Sequence, residues 1–168
     1  MRSLPVKRVL VAPVVLHRVV MEQLTRCRTL DELGKLVSEY PGVYVRYSAG
    51  PRHDADELSI DGESGLELPG LSVNPLTPEA WWSRPLAHWL ARQLMQYQHL
   101  GEREGAFGWV LTGREVGRGP DCEPLVVDVV PLARITQSLV AEADALYSRV
   151  FDRGALPHHR DHEGDRRA

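Results

Sequence analysis

Residues 29–48, TLDELGKLVSEYPGVYVRYS, decide the fold class because a helix signal is followed directly by a strand signal. Thr29 and Glu32 have the spacing of a capping box, and apolar residues then recur at helical spacing until a Pro-Gly pair ends the run. The residues after that pair, VYVRYS, are β-formers whose side chains alternate between two faces. We therefore predict a helix followed by a strand, with Arg46 on the strand face opposite that of Val45.

The rest of the chain predicts an α+β fold in which a mostly antiparallel sheet packs against three main helices. The helices are predicted near residues 30–40, 84–100 and 132–151, where apolar residues recur at helical spacing. Short apolar runs predict strands at residues 43–48, 71–73, 107–112 and 125–130. Glycine and polar residues are frequent in residues 49–70, which are predicted to be mostly loop with a short strand at 66–68 as an option. Glycines and prolines in residues 113–124 predict a segment without regular structure, and a helical turn is predicted at residues 77–82.

Length and composition divide the 168 residues into one domain and two flanking segments. Residues 1–28 contain an apolar run that is compatible with a strand, a helix or a poorly ordered leader, and that lacks the cleavage site of a secretory signal. Residues 29–151 are predicted to form the single α+β domain. Residues 152–168 are polar and mixed in charge, which predicts a disordered C-terminal tail.

Charge, hydropathy and cysteine content restrict the function classes. The formal net charge of −3 gives no basic surface for a phosphate backbone, so nucleic acid is not predicted as a partner. No segment approaches the roughly 20 apolar residues that span a bilayer, and no membrane partner is predicted. Cys27 and Cys122 lie far apart and are predicted to be reduced thiols, which predicts a cytoplasmic location.

Two clusters have residue types that bind metals, but neither has the pattern of a metal site. The tail carries His158, His159 and His162 without an apolar face that would order them. The 49–70 loop is acidic but lacks the spacing of a calcium loop, at Asp54, Asp56, Asp61 and Glu63. No metal site is therefore predicted.

One further group of polar residues lies on or beside the predicted strands, namely Arg46, Ser48, Ser72, Asn74 and Glu123. An arginine on a strand can bind a phosphate through two parallel hydrogen bonds, and a serine can orient it. A carboxylate can bind a ribose hydroxyl and stabilise positive charge on the anomeric carbon. This chemistry suits cleavage of an N-glycosidic bond. The structural alternative is an ion pair between Arg46 and Glu123 across the sheet.

Four motifs carry a resemblance to a known group of proteins: VYVRYS at 43–48, PGLSVNPL at 69–76, the Trp pair at 81–82 and GPDCEPL at 119–125. Together they resemble a family of uncharacterised actinobacterial proteins of about this length. The resemblance covers about residues 30–150 and implies no activity.

The order Arg, Ser and Glu on successive strands is also similar to the ADP-ribosyltransferase fold. This resemblance implies NAD as a co-substrate, with Glu123 as the catalytic carboxylate and the NAD-binding residues Arg46, Ser48, Ser72 and Asn74. The sequence departs from that fold's pattern because it has no Ser-Thr-Ser strand and carries Asp121 where a Gln or Glu is usual.

Two hypotheses on function follow. The first is NAD-dependent ADP-ribosyl transfer or NAD glycohydrolysis, and it predicts a concave pocket lined by Arg46 and Glu123. The second is a non-enzymatic protein-binding or regulatory module that uses the acidic loop and the Trp81-Trp82 turn. It predicts an exposed apolar patch.

Overall fold

The computed structural model describes residues 24–56 and 59–151, with the backbone alone at Asp56. Its α-helices are α1 (Leu30–Glu39), α2 (Pro51–Asp56), α3 (Leu86–Gln96) and α4 (Gln137–Val150), and a 3-10 helix covers Gln98–Glu102. Its strands are β1 (Thr25–Cys27), β2 (Val43–Ser48), β3 (Leu71–Ser72), β4 (Asn74–Pro75), β5 (Phe107–Arg118) and β6 (Pro124–Ile135). The α+β prediction is confirmed.

The strands form one mixed sheet in the order β1-β6-β5-β2-β4, with β3 also pairing with β6. The β1–β6 pair is parallel and the other pairs are antiparallel, as the prediction of a mostly antiparallel sheet requires. The consecutive strands β3 and β4 pair with β6 and β2, between which β5 lies. The short segment from β3 to β4 therefore crosses β5 on one face of the sheet.

The main core lies on the other face, beneath the three longer helices. Val43 and Val45 of β2 are fully buried there against Leu33 of α1 and Leu90 of α3. Helix α1 begins at the predicted cap, because the Thr29 hydroxyl accepts a hydrogen bond from the Glu32 N–H at 3.2 Å. The helices predicted near 30–40, 84–100 and 132–151 are thus confirmed, with shorter bounds.

A second, smaller core fills the face that β3 and β4 cross. Its buried members are Tyr44, Leu71, Val73, Trp109, Leu111 and Val126. Because Tyr44 alternates with Val43 and Val45 along β2, Arg46 also lies on this second face, as predicted. The sheet therefore separates a face covered mainly by apolar side chains from one that combines buried aromatic side chains with the partly buried Arg46.

The loop prediction was wrong for residues 113–124, and for residues 49–70 it missed a short helix. The 49–70 loop contains helix α2, which begins at Pro51, a residue whose fixed φ suits a first helical turn. Residues 113–124 are mostly the paired ends of β5 and β6, because register shifts accommodate the glycines inside the strands. The turn predicted at 77–82 is present as a single hydrogen-bonded turn, from the Trp82 N–H to the Glu79 carbonyl at 2.9 Å.

Several predictions fall outside the described residues. They are the disordered tail at 152–168, the histidines of that tail and the alternatives for residues 1–28 as far as residue 23. The described end of that N-terminal segment contains β1.

Both cysteines are free thiols, Cys27 in the core and Cys122 on the surface. Burial, with a smaller effect of the Glu32 carboxylate, raises the pKa of Cys27 to about 11. Because the thiolate is the reactive form, iodoacetamide at pH 8 should modify Cys27 at least about tenfold more slowly than Cys122 in the folded protein. Peptide mass spectrometry over a time course measures both rates, and in urea they should converge. Equal rates in the folded protein would contradict the burial of Cys27.

Candidate functional site

The centre of the predicted site is a pair of oppositely charged side chains on the second face. The Arg46 Nε donates to Asp54 Oδ2 at 2.8 Å, and its Nη2 donates to Asp54 Oδ1 at 3.1 Å. Its Nη1 donates to the Ser72 carbonyl at 2.7 Å. Only 19% of the Arg46 side chain and 4% of the Asp54 side chain are exposed. All three guanidinium nitrogens are therefore engaged within the protein.

Ser48 extends this pair toward the second core. Its hydroxyl donates to Asp54 Oδ2 and accepts hydrogen bonds from the Trp109 Nε1, at 2.9 Å, and from the Gly50 backbone N–H, at 3.1 Å. Strand pairing explains the arrangement, because Arg46 lies opposite Trp109 in the β2–β5 register. Arg46, Ser48, Asp54 and Trp109 thus form one continuous network, which we call the Arg46 network.

Ser72 connects this network to Glu123. The Ser72 carbonyl accepts from Arg46, and its hydroxyl donates to Glu123 Oε1 at 3.3 Å. Glu123 Oε2 accepts from the Asp121 backbone N–H at 3.0 Å, in the turn that joins β5 to β6. One carboxylate oxygen of Glu123 therefore stabilises the hairpin turn, and the other links that turn to β3.

The structure thus brings Arg46, Ser48, Ser72 and Glu123 into one chain of contacts. Glu123 is not among the described partners of Arg46, so the predicted ion pair between them was wrong and Asp54 takes that place. Asn74 lies on β4 opposite Val45. The roles predicted for these residues in binding NAD or in catalysis stay predictions.

A cavity of about 340 Å³ lies beside the Arg46 network, between α2, β3 and β6. Asp54, Trp109 and Ser59 line it with mostly apolar neighbours. Neither Arg46 nor Glu123 is among its lining residues, although the enzyme hypothesis predicts a pocket formed by both.

Asp54 is the residue whose role the sequence analysis missed. It was grouped with the acidic residues of the loop, but α2 turns its carboxylate inward to Arg46. Asp61 of the same group closes a turn, and the hydrogen bond from the Ser64 hydroxyl holds the pKa of Asp61 below its usual value. Within the described residues, no three His, Cys, Asp or Glu side chains are grouped so that they could hold a metal ion.

Comparison with known proteins places the chain in a family. Residues 20–161 match the family of unknown function DUF6098. The chain belongs to this family. The predicted resemblance to an uncharacterised family is therefore confirmed, and membership in DUF6098 brings no activity with it. No curated protein and no solved structure matches the chain. None of the helices described for this family member has the length and apolarity needed to cross a bilayer.

Proposed function

We propose that this domain is a non-enzymatic protein-binding module and that Trp81 is the centre of its contact surface. The observation that supports this proposal is the exposure of Trp81, of which 67% is accessible in the turn before α3. Its ring meets Trp82 and Trp89 edge to face, with centroids 5.9 Å and 6.0 Å apart. A large aromatic side chain that is both exposed and held in place is typical of binding hot spots.

The charges around this tryptophan cluster indicate the partner's chemistry. The Arg92 guanidinium lies 5.6 Å from the centre of the Trp89 ring, and that of Arg84 lies 5.6 Å from the Phe151 ring. Neither arginine has a carboxylate partner among residues 24–56 and 59–151. A partner surface with an apolar pocket and acidic residues at its rim would complement this corner.

The engagement of the Arg46 network also supports a binding module. An enzyme that consumes NAD through this site would need Arg46 free for a phosphate and Glu123 free for a ribose. Both side chains instead have hydrogen-bond partners in the protein. We also propose a cytoplasmic location, because thiols stay reduced in that compartment and both cysteines are free.

The decisive experiment is quantitative affinity capture from a lysate of the source cells, with the full chain immobilised. Truncating Trp81 to alanine should reduce capture of a specific acidic partner at least about tenfold, since hot-spot truncations cost about 2 kcal/mol or more. Arg92→Gln should weaken the same interaction. It should also make the interaction less sensitive to salt than in the wild type, because one charge has been removed. The purified partner should then reproduce both effects by calorimetry.

Val116→Ala is the matched control, because Val116 is an apolar residue that is 41% exposed on β5. Capture that is equal in the Trp81 and Val116 variants would contradict the proposal. Nicotinamide release from NAD by the wild-type protein, lost in Glu123→Gln, would instead establish the NAD hypothesis.

A further inference from the structure

A second cavity, of about 570 Å³, lies at the end of the sheet where β1 and β6 lead into helices. Its size is within the range of small-molecule sites. Its lining is mainly polar, with the charged residues Arg26, Arg134 and Glu102 and the carboxamides of Gln98 and Gln137. This cavity shares no residue with the Arg46 network or with the tryptophan cluster.

Two arginines face each other in this cavity. Arg26 and Arg134 are direct partners in the parallel β1–β6 register, so their backbones are separated by the spacing of neighbouring strands, about 4.8 Å. Like charges directly opposite each other on a sheet are destabilising. The Arg134 guanidinium lies 4.0 Å from the centre of the Phe107 ring, which fixes its position but does not neutralise it.

Few negative charges compensate this pair. In the described parts of the chain, no carboxylate forms an ion pair with Arg26 or Arg134. The first turn of α4, which borders the cavity at Gln137, carries no acidic residue. Glu102 is the one carboxylate among the residues that line the cavity. Both arginines are exposed, so solvent screens part of their repulsion, and a bound anion would offset more of it.

We infer that this cavity binds a small phosphorylated molecule that also carries hydroxyl or amino groups. The two guanidinium groups would bind the phosphate oxygens through charge-assisted hydrogen bonds, for which arginine has the best geometry. Glu102 would accept hydrogen bonds from hydroxyl or amino groups on the rest of the molecule, as Gln98 and Gln137 would donate to it. The binding is independent of the proposed protein contact at Trp81.

Calorimetric titration of the full chain with inorganic pyrophosphate at constant ionic strength tests the site. We expect saturable one-to-one binding, weakened about tenfold or more in Arg26→Gln and in Arg134→Gln, because each removes a charge-assisted hydrogen bond. Arg26→Gln should leave the melting temperature of the ligand-free protein unchanged or slightly higher, since it relieves the repulsion between the two arginines. A folded variant with lost affinity therefore reports on binding.

Arg28→Gln is the matched control, because it removes the same charge from a neighbouring exposed position that does not line the cavity. An equal loss of affinity in Arg28→Gln would show a diffuse charge effect and overturn the proposal, as would absence of binding by the wild-type protein. A duplex oligonucleotide that displaces pyrophosphate would also overturn it, by assigning the surface to a macromolecule.

Discussion

Replacing Asp54 with alanine is expected to lower the free energy of unfolding by about 3 kcal/mol or more. The substitution leaves the partly buried Arg46 guanidinium without its carboxylate and removes the acceptor of the Ser48 hydroxyl. An uncompensated charge at this position is costly, whereas removing both charges together is much less so. Urea unfolding at pH 7, followed by tryptophan fluorescence, measures the change.

Two comparisons make the Asp54 result specific. The double variant Asp54→Ala, Arg46→Met should lose less unfolding free energy than the two single variants lose in sum, because it leaves no unpaired charge. Asp31→Ala removes the exposed partner of Lys35 and should produce no measurable change. If Asp54→Ala were as harmless as Asp31→Ala, the Arg46 network would not hold the second face together.

The sequence allowed prediction of those parts of the fold that have local causes. The start of α1 follows from a side chain three residues away, since the Thr29 hydroxyl accepts the Glu32 N–H. The orientation of Arg46 follows from the alternation of side chains along one strand. In both cases the deciding interaction lies within a few residues, and both predictions are confirmed.

The partner of Arg46 could not be chosen from the sequence because two carboxylates were available at very different separations. Asp54 reaches it only because α2, a helix of six residues in a segment rich in loop-forming residues, turns back toward β2. Residues that favour turns dominate the local signal there, and tertiary packing overrides it. The position of Glu123 depends in turn on the long β5–β6 hairpin.

The β5–β6 hairpin shows why a segment rich in glycine and proline is difficult to assign from sequence. Gly113 and Gly117 suggested a loop, but both lie beside register shifts within β5, and at Gly113 the absence of a side chain allows close approach of β6. A side chain at Gly113 would meet the Val127 carbonyl at 2.9 Å. Gly113 therefore permits strand pairing in a segment that was predicted to be a loop.

Trp109→Ala should cost about 3–5 kcal/mol of unfolding free energy, because it removes the largest fully buried side chain of the second core. Trp109→Phe keeps most of the ring volume but loses the indole N–H that Ser48 accepts at 2.9 Å. Its expected cost is about 1–2 kcal/mol, the loss of one buried hydrogen bond. The difference between the two variants thus separates packing from hydrogen bonding at one position.

Variants of Ser48 and Trp109 also test whether the second core and the Arg46 network act as a unit. If they do, Ser48→Ala combined with Trp109→Phe should cost less than the sum of the two single losses, because both remove the same hydrogen bond. Trp81→Ala loses only two edge-to-face contacts at the surface and should therefore cost about 1–2 kcal/mol, less than Trp109→Ala, while impairing binding. Additive losses at Ser48 and Trp109 would mean that the hydrogen bond between them contributes little, and that packing alone positions β5 against Arg46.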